Sequence, residues 1–172
     1  MRTMFGDERR KRDLKQRLAA LEREAAECAE KGEALAQAIA WNNIGAVHAD
    51  LKDWKAALAA YERSAGLVPA DATIDERATP YGNAAAAARR LGLNDQATLH
   101  GVWVDALAAA ADSEAQRQVA TGALALVRKA VGKDAFAPLL DAAIAQLPEE
   151  LRAGVRRDEH ADPTYRAAKD PA

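Results

Sequence analysis

A single cysteine, Cys28, stands in the whole chain, so no internal disulfide braces the fold and the sequence suits a reducing compartment. Aromatic residues make up only 5% and β-branched residues are scarce. That removes the usual material of strands, and no alternating apolar–polar stretch supplies it. No stretch reaches the roughly 18 uninterrupted apolar residues of a membrane-spanning helix. The opening MRTMFGDERRKRDLK carries charge but no apolar h-region, so the reading is of a cytoplasmic protein that is not secreted and enters no membrane. A formal net charge of −2 gives no overall attraction to nucleic acid or anionic lipid.

Motifs of catalysis are lacking too. HExxH, CxxC and GxSxG do not occur, and VGKD at 131–134 has neither the hydroxyl residue nor the upstream glycine of a phosphate loop. His48, His100 and His160 lack ligand spacing. Asp50, Asp53 and Asp105 read as solvated or capping carboxylates. The expectation is a non-enzymatic protein with no cofactor, no metal and no catalytic residue. RRKR at 9–12 is hemmed by Asp7, Glu8 and Asp13 and has no interleaved aromatics for base stacking, so it reads as a solvated helix face rather than a nucleic-acid site.

What the chain has is alanine, about a quarter of its residues, and the best helix former. At 172 residues an all-α chain fits one domain or one short repeat array. The stretch AWNNIGAVHADLKDWKAALAAYERSAGLVP, residues 40–69, places Trp41, Ile44, Gly45, His48, Ala57, Tyr61 and Pro69 as two helices in close contact require. Gly45 and Ala57 give the small surfaces that meet, Trp41 and Tyr61 fill the space beside them, Leu51 and Trp54 pack the turn, and Pro69 ends the second helix. Moving 40 residues on carries Trp41, Leu51 and Ala57 to Tyr81, Leu91 and Ala97, and a further 40 to Thr121, Val131 and Ala137. Gly92 and Gly132 mark later turns. This predicts three helix pairs, about 33–69, 79–111 and 114–147, within an array over 32–148. Thr79 before Pro80 reads as a helix start, Asn94 or Asp95 as a cap, and Ser113 with Gln116 as a capping box.

These residues resemble the tetratricopeptide repeat, and the period of 40 is similar to the longer repeats of Leu-Gly-Asn adaptors, kinesin light chains and bacterial Rap-type regulators. The resemblance implies an α-solenoid whose first helices line a concave groove. Its lining would be Ile39, Asn42, Asn43, Ala46, Ala49 and Asp50, then Thr79, Gly82, Asn83, Ala86, Arg89 and Arg90, then Val119, Gly122, Leu126 and Lys129. In peptide-binding families, asparagines such as Asn43 and Asn83 pair with a ligand's backbone amides. Arg89, Arg90 and Lys129 would favour an acidic segment, but Asn42 and Ala46 replace the charged clamp that holds heat-shock-protein tails. The function so implied is an adaptor binding a peptide or helix of another protein. The alternatives are a secretion-type chaperone and a peptide-sensing regulatory module.

The ends read as caps. Leu14, Leu18, Leu21, Ala25 and Cys28 stripe a charged helix within 1–31 that stops at Gly32, and the stripe would either cover the first repeat or form a homodimer. Residues 149–157 read as a short polar helix, and 158–172 as a flexible tail.

Overall fold

The computed structural model describes residues 2–161, with side chains from residue 7 onward. The chain is all α among these residues, in the order α1 (Arg2–Lys31), α2 (Ala34–Asp50), α3 (Trp54–Leu67), α4 (Ile74–Arg90), α5 (Asn94–Ala110), α6 (Glu114–Val131), α7 (Lys133–Ala145), α8 (Glu149–Arg152) and α9 (Arg157–Ala161). Each long helix packs against its neighbour in sequence, giving a solenoid-like run of helix pairs. No described helix is long and apolar enough to cross a membrane.

The 40-residue spacing is visible in the burial. Helices α2, α4 and α6 begin at Ala34, Ile74 and Glu114. The buried sets Ala40, Pro80 and Ala120, then Ile44, Ala84 and Leu124, then Val47, Ala87 and Val127 are each 40 apart. More than half of the buried apolar side chains are alanine, so the helices meet almost backbone to backbone. At Gly45 the approach is closest: a Cβ there would stand 2.5 Å from Tyr61 Cε1. The next pair inverts the arrangement, with Gly101 at the position of Tyr61 and a Cβ there 2.8 Å from Leu124 Cδ2 of the following helix.

Turns keep the same register. Gly92 and Gly132 take positive φ, 75° and 86°, and Lys52 holds the equivalent place in the first pair with φ 62°, where glycine costs less. Asp53 caps α3 by accepting from the Ala56 N–H at 3.1 Å. Helix α3 ends at Leu67, before Pro69.

The predicted boundaries need four corrections. Helix α4 starts at Ile74, not near 79, because Thr73 and Glu76 form a reciprocal capping box (Glu76 N–H to Thr73 Oγ1, 3.3 Å; Thr73 N–H to Glu76 Oε2, 2.8 Å), which satisfies two orphan donors and outweighs the break at the now internal Pro80. The N-cap of α5 is Leu93, with no side-chain cap, so neither Asn94 nor Asp95 serves. At α6 only half a box forms: Ser113 Oγ accepts from the Gln116 N–H at 3.4 Å, while the Gln116 side chain reaches Asp75 instead. The expected polar helix over 149–157 is two short ones, α8 and α9, and the expected tail from 158 begins inside α9, where His160 is buried. Residues 162–172 lie outside the described residues.

Helix α1 lies against α2 through Leu21 and Ala25, buried with Ile44 and Val47, with Leu14 and Leu18 packed beside them. Gly32, at φ 70°, closes it.

Gly45→Ala should cost about 1–3 kcal/mol, because Tyr61 is held on all sides and has little room to yield. Chemical denaturation measures it. A variant as stable as the parent would refute the close approach of α2 and α3.

Candidate functional site

The outer faces of α2, α4 and α6 form one wall. Two side-chain rungs tie these helices together: Asn83 Nδ2 donates to Asn42 Oδ1 at 2.9 Å, and Gln116 Nε2 donates to Asp75 Oδ1 at 2.7 Å. Both rungs span 41 residues, and their donors and acceptors sit at positions two helical turns apart in the repeat register, so the helices run parallel. Along this wall Ile39, Val119 and Leu126 are 48%, 49% and 47% exposed. Among the described residues they are three of five exposed large apolar side chains; the others, Leu91 and Leu93, sit around the turn from α4 to α5. Ala46 and Ala86 are exposed between them.

The expected groove residues distribute as follows. Asn42 and Asn83 are half-buried and bonded to each other, which occupies one amide proton of Asn83 and one lone pair of Asn42. Asn43 is half-buried beside them and makes no side-chain hydrogen bond to a described residue. Arg89, Arg90 and Lys129 stand in the last turns of α4 and α6, where cations complement the helix ends. Arg90 also lies over the Trp54 ring, 5.4 Å from its centroid. At the opposite edge stand Asp75, Glu76 and Glu114 in the first turns. The Glu76 carboxyl is held below its ordinary range by hydrogen bonds from the Thr73 hydroxyl and backbone N–H. The wall therefore has an acidic edge and a basic edge. The earlier start of α4 is what puts Asp75 and Glu76 there.

Of the repeat positions, Trp41 carries the Arg63 guanidinium over its ring at 3.9 Å. Ile44, Ala57, Tyr61 and Ala97 are buried. Tyr81 stacks on Trp103, with centroids 5.1 Å apart, and sits near His100, whose Nε2 is 3.1 Å from Glu62 Oε1. Burial pushes the His100 ring below its ordinary value, against the pull of Glu62.

A second constellation closes the carboxyl end. Asp105 on α5 is fully buried, not solvated or capping as its sequence context suggested. Its Oδ2 accepts the Arg156 backbone N–H at 2.9 Å and lies 2.9 Å from His160 Nε2. The Arg156 guanidinium stands 3.5 Å from Asp105 Oδ1 and donates to the Arg117 carbonyl and Thr121 Oγ1 of α6. Arg128 donates to the His160 carbonyl at 2.7 Å, and Arg157 grips Asp141 with two bonds of 2.6 and 2.9 Å. Burial pushes the Asp105 carboxyl up, but the His160 and Arg156 hydrogen bonds and charges outweigh it and hold the group below its usual range. Nothing local in the sequence marks this cluster, because its members are 51 and 55 residues apart. Its geometry is that of a clamp: Asp105, Arg156 and His160 tie α5 and α6 to the segment 156–160, while Asp105 Oδ1 and Arg156 Nε face each other without a hydrogen bond. Among the described residues no group of three or more His, Cys, Asp or Glu could hold a metal ion.

No family model, no curated protein and no solved structure matches the chain.

Removing one partner of a buried ion pair leaves the other uncompensated, so Asp105→Ala should lose about 3–5 kcal/mol at neutral pH. The folded carboxyl titrates below its ordinary 3.8, so the stability it contributes is complete above that pH and is lost as pH falls through the folded value. The gap between parent and variant in denaturant melts should narrow below pH 3.8. A gap equal at pH 3 and 7 would contradict the ionised clamp.

Proposed function

We propose that the chain is a non-enzymatic interaction module of the tetratricopeptide type, which holds a peptide or helix of a partner protein against the wall of α2, α4 and α6. The observation that carries this reading is the alignment of Ile39, Val119 and Leu126 on that wall, half-exposed, with no helix of the described chain laid over them. Apolar side chains of this size on one face are the material of a docking surface. The paired asparagines and free Asn43 among them supply backbone-directed hydrogen bonding. Charge at the two edges would orient the partner more than hold it.

Partner capture tests this. The double variant Ile39→Asp/Leu126→Asp changes exposed positions, so its stability should change little, by about 0.5 kcal/mol or less per site. A protein retained by the parent chain should be lost by this variant and kept by Leu91→Asp/Leu93→Asp, which alters exposed apolar residues away from the wall. Equal loss with both variants, or with neither, would refute the wall as the binding surface.

A further inference from the structure

We propose that the cleft between α2 and α4 is an anchor pocket, taking one bulky aliphatic or aromatic side chain of a partner peptide whose next residue is Lys or Arg. The proposal rests on the wall being the peptide-binding surface and names the chemistry recognised there.

The cleft holds about 220 Å³. That is below the roughly 300–1,000 Å³ of small-molecule sites, so it suits a side chain rather than a cofactor. Leu35 and Ile39 form one side, Thr79 and Pro80 the other, and Val68 and Ser64 the floor. The Ser64 hydroxyl donates to the Ala38 carbonyl at 2.7 Å. The floor thus asks for no hydrogen bond from a ligand, and an apolar group loses nothing by entering.

Register explains why the opening is here. In the next cleft, between α4 and α6, the position of Thr79 is held by Val119, whose Cγ1 stands 3.7 Å from where a Gly82 Cβ would be. The position of Glu76 is held by Gln116, which reaches across to Asp75. The position of Ser64 is held by the larger Val104, fully buried. In the first cleft, Thr79 has the shape of Val119, but Glu76 is folded back onto Thr73 and Ser64 is small. The chain's own side chains fill the second cleft and leave the first open.

Charge sets the neighbour. Asp75 and Glu76 border the cleft, no basic side chain does, and neither carboxylate forms an ion pair with a described residue. A cation beside the anchor supplies that partner. Asn42 adds direction: its Oδ1 is taken by Asn83, which fixes the amide and leaves Nδ2 to donate to a peptide carbonyl.

Fluorescein-labelled decapeptide pools, with two central residues fixed as Leu-Lys, Ala-Lys or Leu-Glu and all others randomised, test this by anisotropy against the full chain. The Leu-Lys pool should bind about tenfold tighter than Ala-Lys, the difference of one buried side chain, and about threefold tighter than Leu-Glu. Thr79→Trp, at an exposed position, should fill the cleft and bring Leu-Lys down to the Ala-Lys level. Asp75→Lys should reverse the preference between Leu-Lys and Leu-Glu. Circular dichroism confirms folding of both variants. Equal binding of the three pools, no binding of any, or Leu-Lys binding indifferent to Thr79→Trp would overturn the pocket. If Thr79→Trp instead changes the sedimentation of the chain alone, the occupant is a second copy and the proposal fails. In each failing case the Ile39→Asp/Leu126→Asp capture experiment still decides the wall on its own.

Discussion

Close approach of neighbouring helices is the constraint on which the rest of this structure depends. Gly45 lets Tyr61 lie against the backbone of α2, Gly101 gives Leu124 the same room at the next interface, and buried alanines line the remaining contacts. Cores built from small side chains gain little from any one residue, and their stability is spread over many short-range contacts between neighbouring pairs. Such an array has exposed interfaces at both ends. Helix α1 covers one, through Leu21 and Ala25, and the segment from α8 to α9 covers the other, through the buried Asp105 and His160 and the half-buried Arg156. The first closure is apolar, and the second adds an ionic clamp to the apolar contacts of Leu151, Val155 and Ala161.

The same constraint makes the wall. When α2 and α3 press together through alanine and glycine, the inner faces of both are consumed, and the residues of α2, α4 and α6 that face away are left in a parallel row. Polar rungs at Asn42–Asn83 and Asp75–Gln116 set the spacing of that row. Within it, single side-chain differences between copies decide the surface. Ser64 where the next copy has Val104, and Glu76 folded onto Thr73 where it has Gln116 reaching to Asp75, turn one of two related clefts into an opening. Repetition supplies the scaffold, and departures from it supply the site.

How much of this was legible in the sequence varies by scale. The helix pairs were, because glycine at 45, alanine at 57 and proline at 69 each answer to one geometric need. The turns at Gly92 and Gly132 were, because positive φ favours glycine. The start of α4 was not: Thr79–Pro80 is a plausible first turn, and the stronger signal, Thr73 with Glu76 three residues on, lies between the pairs 33–69 and 79–111 that the repeat register defines. That one misplacement hid Asp75 and Glu76, and with them the acidic edge. The clamp was illegible for another reason. Asp105 looks like any helix carboxylate until the chain returns from 156 to 160, and no local pattern records a contact across 51 residues. Asn83 bonds to Asn42 and not to its register equivalent Asn43, so adjacent helices meet one residue out of step from the count of 40.

The account stands on the wall being the surface at which a partner is held. Site-specific photo-crosslinking tests this most directly, with a benzophenone amino acid placed in turn at Ile39, Val119 and Leu126 on the wall and at Ala59 and Gln96, exposed positions of α3 and α5. The account predicts the same partner adduct from all three wall positions and none from Ala59 or Gln96. Adducts from Ala59 and Gln96 with none from the wall would contradict it.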